Sequence, residues 1–231
     1  MARVSRNSLT KLQIVQVACK LFLEQGYSST SVKAICSELE MSPGNLTFYY
    51  PTKEHLLAEL IDLLCRFQWK MMEREADDGY SSVMAICLEL MAMAAVCEED
   101  SAAKDMYFSA YTSPLCLSII RRNDTDRAKE VFAAYRPEWK DEQFAEAELL
   151  VSGIEYATLT ATDGTVSLET RIAGALNQIL SIYGVPAEVR EMKIARVLKM
   201  DYRTISRRIL AEFKGYVYEA NEQALIDLLK R

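Results

Sequence analysis

Apolar residues recur every three or four positions along most of the chain, which is the spacing of one face of an α-helix. Residues 141–160 and 167–183 show this pattern clearly and predict two long helices joined by a short turn. A further helix, predicted from Thr52 to near Asp77, is long enough to connect two parts of the molecule. We find no strand-like alternation and no internal repeat, so the pattern predicts an all-α protein.

Polar residues and prolines mark the ends of the other predicted helices. Ser113 and Pro114 begin a helix that we expect to end near Arg122, and a separate helix is predicted from Asp124 to Tyr135. The segment after Pro186 predicts two or three more helices. The chain thus has enough helices for a bundle in addition to a small N-terminal unit.

Two short helices separated by a tight turn are predicted near the N-terminus. Thr30 or Ser31 offers a hydroxyl that can cap the first helix, and Ser42 followed by Pro43 marks the start of the second. The second helix is too short to be stable alone, so Leu46 is expected to anchor it against its neighbours. This arrangement is a candidate helix-turn-helix.

The stretch from Gly26 to Leu57, GYSSTSVKAICSELEMSPGNLTFYYPTKEHLL, resembles the N-terminal DNA-binding domain of the TetR family of transcriptional regulators. The resemblance is carried by SPGNL, the mostly aromatic positions after it and the following Lys-Glu pair. The chain departs from the family pattern at Cys36, at Glu40 in place of a turn glycine, and at Thr47 in place of a tyrosine. Glu40 predicts either a turn without positive φ or a strained one.

The resemblance implies that the helix from Pro43 to Tyr50 enters the major groove of DNA. The residues expected to contact DNA from this helix and its cap are Ser42, Pro43, Gly44, Asn45, Thr47, Phe48 and Tyr49. The residues expected at the DNA backbone are Thr30, Ser31, Lys33 and Lys53. Leu46 and Tyr50 are expected to face the protein interior.

The resemblance also implies a division into two domains and a ligand-regulated mechanism. Residues 1–52 are predicted to form the helix-turn-helix DNA-binding domain, and residues 53–231 a helical ligand-binding and dimerisation domain. The pair of helices at 141–160 and 167–183 is the expected homodimer interface. A small apolar or amphipathic effector is expected to change the affinity for the DNA operator, as in a repressor.

Methionine and aromatic residues of the second domain are candidates for lining the effector pocket, although each also fits an ordinary core position. The candidate ligand-binding residues are Phe67, Met71, Met91, Phe108, Tyr111 and Tyr156.

Charge is unevenly distributed along this chain of 231 residues with a net charge of −6. Up to Lys53 there are six basic and three acidic residues, so this part carries +3 and the remainder −9. A basic N-terminal unit on an acidic body fits a protein that places one end against a polyanion. A second basic segment, from Lys193 to Ile209, has the rhythm of another helix-turn-helix, although a solvated helical hairpin is the favoured interpretation.

Enzymatic, metal-binding and membrane roles are not expected. The sequence has no GxSxG, glycine-rich phosphate loop or HExxH, and its single histidine, His55, has no nearby catalytic partner. Six cysteines without paired spacing predict reduced core residues rather than a disulfide or zinc framework. With no apolar run of membrane-spanning length and no signal peptide, we expect a soluble cytoplasmic protein without cofactors. The alternative function is a helical binding protein that senses a small molecule or partner without contacting DNA.

Overall fold

Helices make up the regular secondary structure in the computed structural model, which describes residues 6–77 and 81–229. The all-α prediction is confirmed. The helices of the described residues are α1 (Arg6–Gln25), α2 (Val32–Glu38), α3 (Pro43–Tyr49), α4 (Lys53–Asp77), α5 (Ser82–Glu99), α6 (Ser101–Thr112), α7 (Pro114–Phe132), α8 (Asp141–Thr160), α9 (Leu168–Ile182), α10 (Ala187–Leu198) and α11 (Tyr202–Leu229).

The predicted helix starts are confirmed where a serine hydroxyl accepts a hydrogen bond from the first turn. Ser31, rather than Thr30, caps α2 by accepting from the Ala34 amide. Ser42 caps α3 with Pro43 at the first helical position, and Ser167 caps α9. These hydroxyls satisfy backbone amides that have no partner inside their helix, which fixes where each helix begins.

The prediction of two helices between Ser113 and Tyr135 is wrong, because α7 continues from Pro114 to Phe132. Asn123 and Asp124 lie where the break between the two helices was predicted. Their side chains form hydrogen bonds with other side chains instead. Asn123 accepts from the indole of Trp69 at 2.8 Å, and Asp124 accepts from Arg127 at 3.4 Å. Since their polar groups are satisfied in this way, they do not compete with the helical backbone bonds.

Helix α5 is the central helix of the body. Nearly all of its residues from Val83 to Cys97 are buried, as expected for a helix that is apolar around its whole circumference. It packs against α4, α8, α9, α10 and α11. The buried apolar residues form one cluster that runs from α1 through α4 into this body. The division at residue 52 stays a prediction, and none of the described helices is long and apolar enough to cross a membrane.

The basic segment from Lys193 to Ile209 forms the end of α10, a turn and the start of α11, packed on α5. Arg203 and Arg207 both pair with Glu99, at 2.8 and 3.3 Å. Ser206, between them, is fully buried. These contacts favour the helical hairpin interpretation, because both arginines pair with an acidic residue of the same protein.

Candidate nucleic-acid interface

The turn between α2 and α3 closes with two backbone hydrogen bonds that define a helix C-terminal cap. The Met41 amide donates to the Cys36 carbonyl at 3.0 Å, and the Glu40 amide donates to the Ser37 carbonyl at 3.3 Å. This pattern requires a left-handed residue after the helix, a position usually taken by glycine. Glu40 occupies it with a φ of +50°. Of the two alternatives for this turn, the strained one is therefore correct.

We expect Glu40→Gly to raise the free energy of unfolding by about 0.5–1 kcal/mol. The substitution removes the steric cost of a side chain in the left-handed region, while the larger freedom of glycine in the unfolded chain offsets part of the gain. Urea denaturation of the two proteins measures the difference. Glu38→Gly, inside α2, serves as the matched control and should be destabilising. Equal losses in both variants would contradict the assignment of strain to Glu40.

Helix α3 turns one face toward solvent and one toward the core. The exposed residues are Ser42, Pro43, Gly44, Asn45, Thr47 and Phe48, with Tyr49 half-buried. Phe48 is 75% exposed, which is unusual for a phenylalanine and marks a surface available to a partner. Leu46 and Tyr50 are buried, as predicted, and hold the short helix against the rest of the molecule.

Tyr49 links α3 to the first turn of α1. Its hydroxyl donates to the Asn7 side-chain oxygen at 3.1 Å, and its ring lies edge-on to that of Phe48 with 5.2 Å between centroids. Asn7 is exposed and adjoins the α3 face, yet no sequence pattern singled it out. A polar residue before the first apolar position of α1 carries no periodic signal, so its contact was not predictable.

The structure does not allow the predicted contact between the Thr30 side chain and the DNA backbone. This side chain is fully buried, and its hydroxyl donates to the Gly26 carbonyl at 2.7 Å. A DNA phosphate cannot reach a hydroxyl placed in this way. Ser31 and Lys33, by contrast, are exposed next to α3.

Lys53 is held by the loop between α1 and α2. Its ammonium donates to the Tyr27 carbonyl at 2.7 Å and to the Thr30 carbonyl at 2.9 Å, and it lies 4.0 Å from the centre of the Tyr27 ring. Burial lowers the pKa of Lys53, and the Asp105 carboxylate opposes that shift. Two of the three ammonium hydrogens are thus used inside the described part of the protein, which leaves one for another acceptor.

The same loop is attached to the body by Asp105 of α6. The Asp105 carboxylate accepts from the Ser28 amide at 2.7 Å and from the Ser28 hydroxyl at 2.5 Å. Gly26 has a φ of +90°, and a Cβ there would lie 2.8 Å from the Asp105 carboxylate. Glycine is therefore required at this position for both its backbone angle and its small size. Helix α6 consequently makes direct contact with the unit that carries α3.

A cavity of about 40 Å³ lies in the body between α5, α7, α8 and α9. Its apolar wall includes Ile86, Leu90, Met93, Val151 and Ile179. Its ionisable lining residues are Glu89, Asp124, Arg127, Glu148, Glu155 and Tyr183. A buried cavity with this many ionisable groups is unusual, because burial of a charge is costly unless a partner compensates it.

Hydrogen bonds within the protein satisfy part of this lining. The Arg127 guanidinium donates to both carboxylate oxygens of Glu89 and to Asp124. The Tyr183 hydroxyl donates to Glu148, and the Tyr111 hydroxyl donates to Glu155 at 2.8 Å. Arg127 is thus the one guanidinium or ammonium among the cavity-lining residues that the structure describes.

Burial shifts the proton equilibria of three of these carboxyl groups. It raises the pKa of Asp124 to about 6, against the opposing effect of Arg127. It raises the pKa of Glu148 to about 8, with a further contribution from Asp124. It also raises the pKa of Glu155 well above the ordinary value, again helped by Asp124. Near neutral pH these carboxyl groups are therefore protonated to a greater extent than exposed carboxyl groups would be.

The six predicted ligand-binding residues do not form one pocket, and none of them lines the cavity between α5, α7, α8 and α9. Phe67 and Met71 border a groove between α4 and α11, and Met91 is fully buried in the core. Phe108 and Tyr111 adjoin Tyr156, with ring centroids 6.1 and 6.3 Å apart. Sequence spacing indicated that these residues are apolar and helical, but not which helix faces meet.

All six cysteines are buried and free, and burial raises the pKa of each thiol. No group of three or more histidine, cysteine, aspartate or glutamate residues in the described ranges is arranged to hold a metal ion.

The comparisons with known proteins concern mainly the N-terminal part. The family model described as bacterial regulatory proteins, tetR family, matches residues 14–60. The chain is 43% identical over 49 residues to the uncharacterised HTH-type transcriptional regulator YuxN of Bacillus subtilis, covering 21% of this chain and 17% of YuxN. It is 36% identical over 63 residues to the HTH-type transcriptional regulator QacR of Staphylococcus aureus, covering 26% of this chain and 34% of QacR.

The matched segment therefore spans between about a sixth and a third of these two relatives. A likeness over greater length is found with the solved structure of the TetR family protein CprB from S. coelicolor A3(2). It covers 90% of this chain and 99% of CprB, with 22% sequence identity and a TM-score of 0.43. A TM-score this low supports no comparison of individual residues.

Proposed function

We propose that this chain, whose residues 14–60 match the model of the tetR family of bacterial regulatory proteins, is a sequence-specific transcriptional regulator of that family rather than an enzyme. Its partners are a double-stranded DNA operator, a second copy of the chain and a small effector, and its site of action is the cytoplasm. Its proposed role is that of a repressor whose operator affinity falls when the effector binds.

The observation that carries the proposal is the exposed face of α3 on a capped helix-turn-helix. A helix in the major groove needs side chains that reach base edges and phosphates without being required for its own folding. Thr47 and Phe48 meet this condition because both are exposed. In this proposal Pro43, Gly44, Asn45 and Tyr49 also face the groove, and Ser31, Lys33, Ser42 and Lys53 contact the backbone. Lys53 contributes its remaining ammonium hydrogen while it fixes the α1–α2 loop.

We expect Phe48→Ala to weaken discrimination between operator and random DNA by about 1–3 kcal/mol. The ring is 75% exposed, so its loss should leave the melting temperature unchanged. The operator is first selected from a random DNA library with the wild-type protein, and affinities are then measured by fluorescence anisotropy. Phe108→Ala is the matched control, because Phe108 is also exposed, at 46%, but lies on the body.

Lys33→Ala in the same assay should weaken binding to all sequences alike and lower the salt slope by about one unit. Unchanged operator affinity in Phe48→Ala, together with an unchanged salt slope in Lys33→Ala, would rule out this face as the DNA-binding surface. If the wild-type protein selected no operator at all, the regulator proposal itself would fail.

The dimer proposal is supported by an apolar and small-residue surface on α8 and α9. Leu149 and Leu150 are exposed at 54% and 61% on α8, and Gly153 is exposed one turn further along. Gly174 is exposed on α9, which packs against α8. Small residues permit close approach of a second pair of helices, and the leucines supply area to bury. Two copies joined in this way would present two α3 helices to a near-palindromic site.

We expect the wild-type protein to sediment as a dimer at micromolar concentration and Leu150→Glu to sediment as a monomer. A carboxylate placed in an apolar interface loses its hydration without gaining a partner. Met192→Glu is the matched control, since Met192 is 58% exposed on α10, outside the two helices of the proposed interface. A monomeric wild type, or a dimer that tolerates Leu150→Glu, would contradict the interface.

Helix α6 supports the proposal that an effector in the body changes DNA binding. Its Asp105 binds the α1–α2 loop, and its Tyr111, less than two turns further along, binds Glu155 at the cavity. A ligand that displaces Glu155 therefore acts on the helix that holds the loop before α2. Such a ligand shifts operator affinity only to the extent that it binds one position of α6 more tightly than another.

A further inference from the structure

The cavity between α5, α7, α8 and α9 has an excess of acidic groups. Four of its lining residues carry carboxyl groups: Glu89, Asp124, Glu148 and Glu155. Arg127 binds the first two of these. Glu148 and Glu155 instead accept hydrogen bonds from tyrosine hydroxyls, which carry no positive charge.

Glu148 also has an oxygen that no described residue of the protein binds. Its side chain is 3% exposed, and its Oε2 atom has no hydrogen-bond partner among the described residues. A buried carboxyl oxygen without a partner loses the hydrogen bonds that water would make to it, and this loss costs free energy. Because Glu148 lines the cavity, a small rotation of its carboxyl group would let a donor placed there satisfy this oxygen.

The rest of the lining indicates what kind of donor fits. Leu90, Met93 and Val151 form an apolar wall beside the carboxyl groups. No set of metal-ligating side chains in the described ranges is arranged for a metal ion, so an organic cation fits better than a metal. A cavity needs about 10–15 Å³ to hold one water-sized group, so the volume of about 40 Å³ admits an ammonium head group.

We propose that this cavity binds an organic ammonium ion, with the charged nitrogen at Glu148 and Glu155 and the alkyl part along Leu90 and Met93. The flexible methionine side chain can move to admit the alkyl part. Only the role of this cation as the effector rests on the proposed function. The site itself is defined by the cavity and stands apart from DNA binding.

Binding of the cation is coupled to loss of protons from the cavity. The groups that act on Glu148 and Glu155 are Glu89 from α5, Arg121, Asp124 and Arg127 from α7, Tyr111 from α6 and Tyr183 at the end of α9. The raised pKa of Glu148 means that much of this carboxyl is protonated at pH 7. A cation favours the ionised form, so its affinity increases from pH 6 to pH 8 and its binding releases protons.

The test uses n-hexylammonium, with neutral 1-hexanol and anionic hexanoate as probes of matched length. Isothermal titration calorimetry at pH 8 should show n-hexylammonium binding at least tenfold more tightly than either of the others. Its apparent enthalpy should differ between buffers of different ionisation enthalpy, because protons are released. Glu148→Gln should weaken n-hexylammonium at least tenfold and reduce the proton release. Glu146→Gln, an exposed neighbour on α8, should change neither quantity.

Glu155→Gln provides a second variant if Glu148→Gln does not give a cooperative melting transition. Equal affinity for n-hexylammonium and 1-hexanol, or unchanged affinity in a folded variant, would overturn the cation site. Operator affinity is measured separately with and without n-hexylammonium. Binding at the cavity without any change in operator affinity would leave the cation site standing and remove the effector role.

Discussion

Replacing Arg127 with methionine is expected to lower the free energy of unfolding by about 3–5 kcal/mol at pH 7, the largest effect of any single substitution considered for this protein. The guanidinium is 4% exposed and lies between Glu89 and Asp124. Its loss leaves the buried Glu89 and the partly buried Asp124 without a compensating charge. Methionine keeps most of the side-chain volume, so the effect reports mainly the missing charge. Urea denaturation followed by circular dichroism measures it.

Two further variants separate the buried pair from ordinary surface ion pairs. Arg66→Met removes an exposed pair with Asp62, whose atoms lie 2.7 Å apart, and should cost less than about 1 kcal/mol. Adding Glu89→Gln to Arg127→Met should restore part of the lost stability, because it removes one of the uncompensated carboxylates. A loss in Arg127→Met no larger than in Arg66→Met would contradict the proposed role of Arg127.

The wild-type protein is expected to lose about 3 kcal/mol of its free energy of unfolding between pH 5 and pH 8. The native pKa values of Asp124, Glu148 and Glu155 lie above those in the unfolded chain. Between these values the native state binds more protons than the unfolded state, so stability decreases as the pH rises. The destabilisation is absent below the unfolded pKa values, near 4, and for Glu148 it is complete only above about pH 8.

Urea denaturation at pH 5, 6.5 and 8 measures the slope of the unfolding free energy against pH directly. Glu148→Gln cannot ionise and should show a smaller slope, especially above pH 6, whereas Glu146→Gln should keep the wild-type slope. The lowered pKa values of Asp163, Glu169 and Asp201 act in the opposite direction, but those groups titrate below this window. Stability that stays constant or increases from pH 5 to pH 8 would show that the buried carboxyl groups are not protonated in the native state.

These two predictions concern residues that the sequence did not single out. Glu89, Glu148 and Glu155 occur in helical patterns where an acidic residue normally faces solvent. Their partners come from other helices: Arg127 is on α7, Tyr183 caps the end of α9 and Tyr111 is on α6. A periodic pattern describes one helix at a time, so it contains no information about which faces of different helices meet.

The local structure of the helix-turn-helix was determined by the sequence itself. Ser31 and Ser42 cap helices because their hydroxyls reach the free amides three residues later. Leu46 is buried because it is the apolar anchor of a helix that cannot be stable alone. The all-α class followed in the same way from apolar spacing along the whole chain. Each of these properties depends on interactions within a few residues, which the sequence displays directly.

Only the tertiary structure decided the properties that depend on distant residues. In the folded protein Thr30 is buried and the Lys53 ammonium binds the loop that contains Tyr27. Asp105 of α6 binds the same loop. The tertiary structure also separated the predicted ligand-binding residues and enclosed acidic side chains around a cavity between other helices. The physical reason is that burial and charge compensation depend on which surfaces pack together. Side chains dozens of residues apart in sequence then determine whether a polar group meets water, a partner or neither.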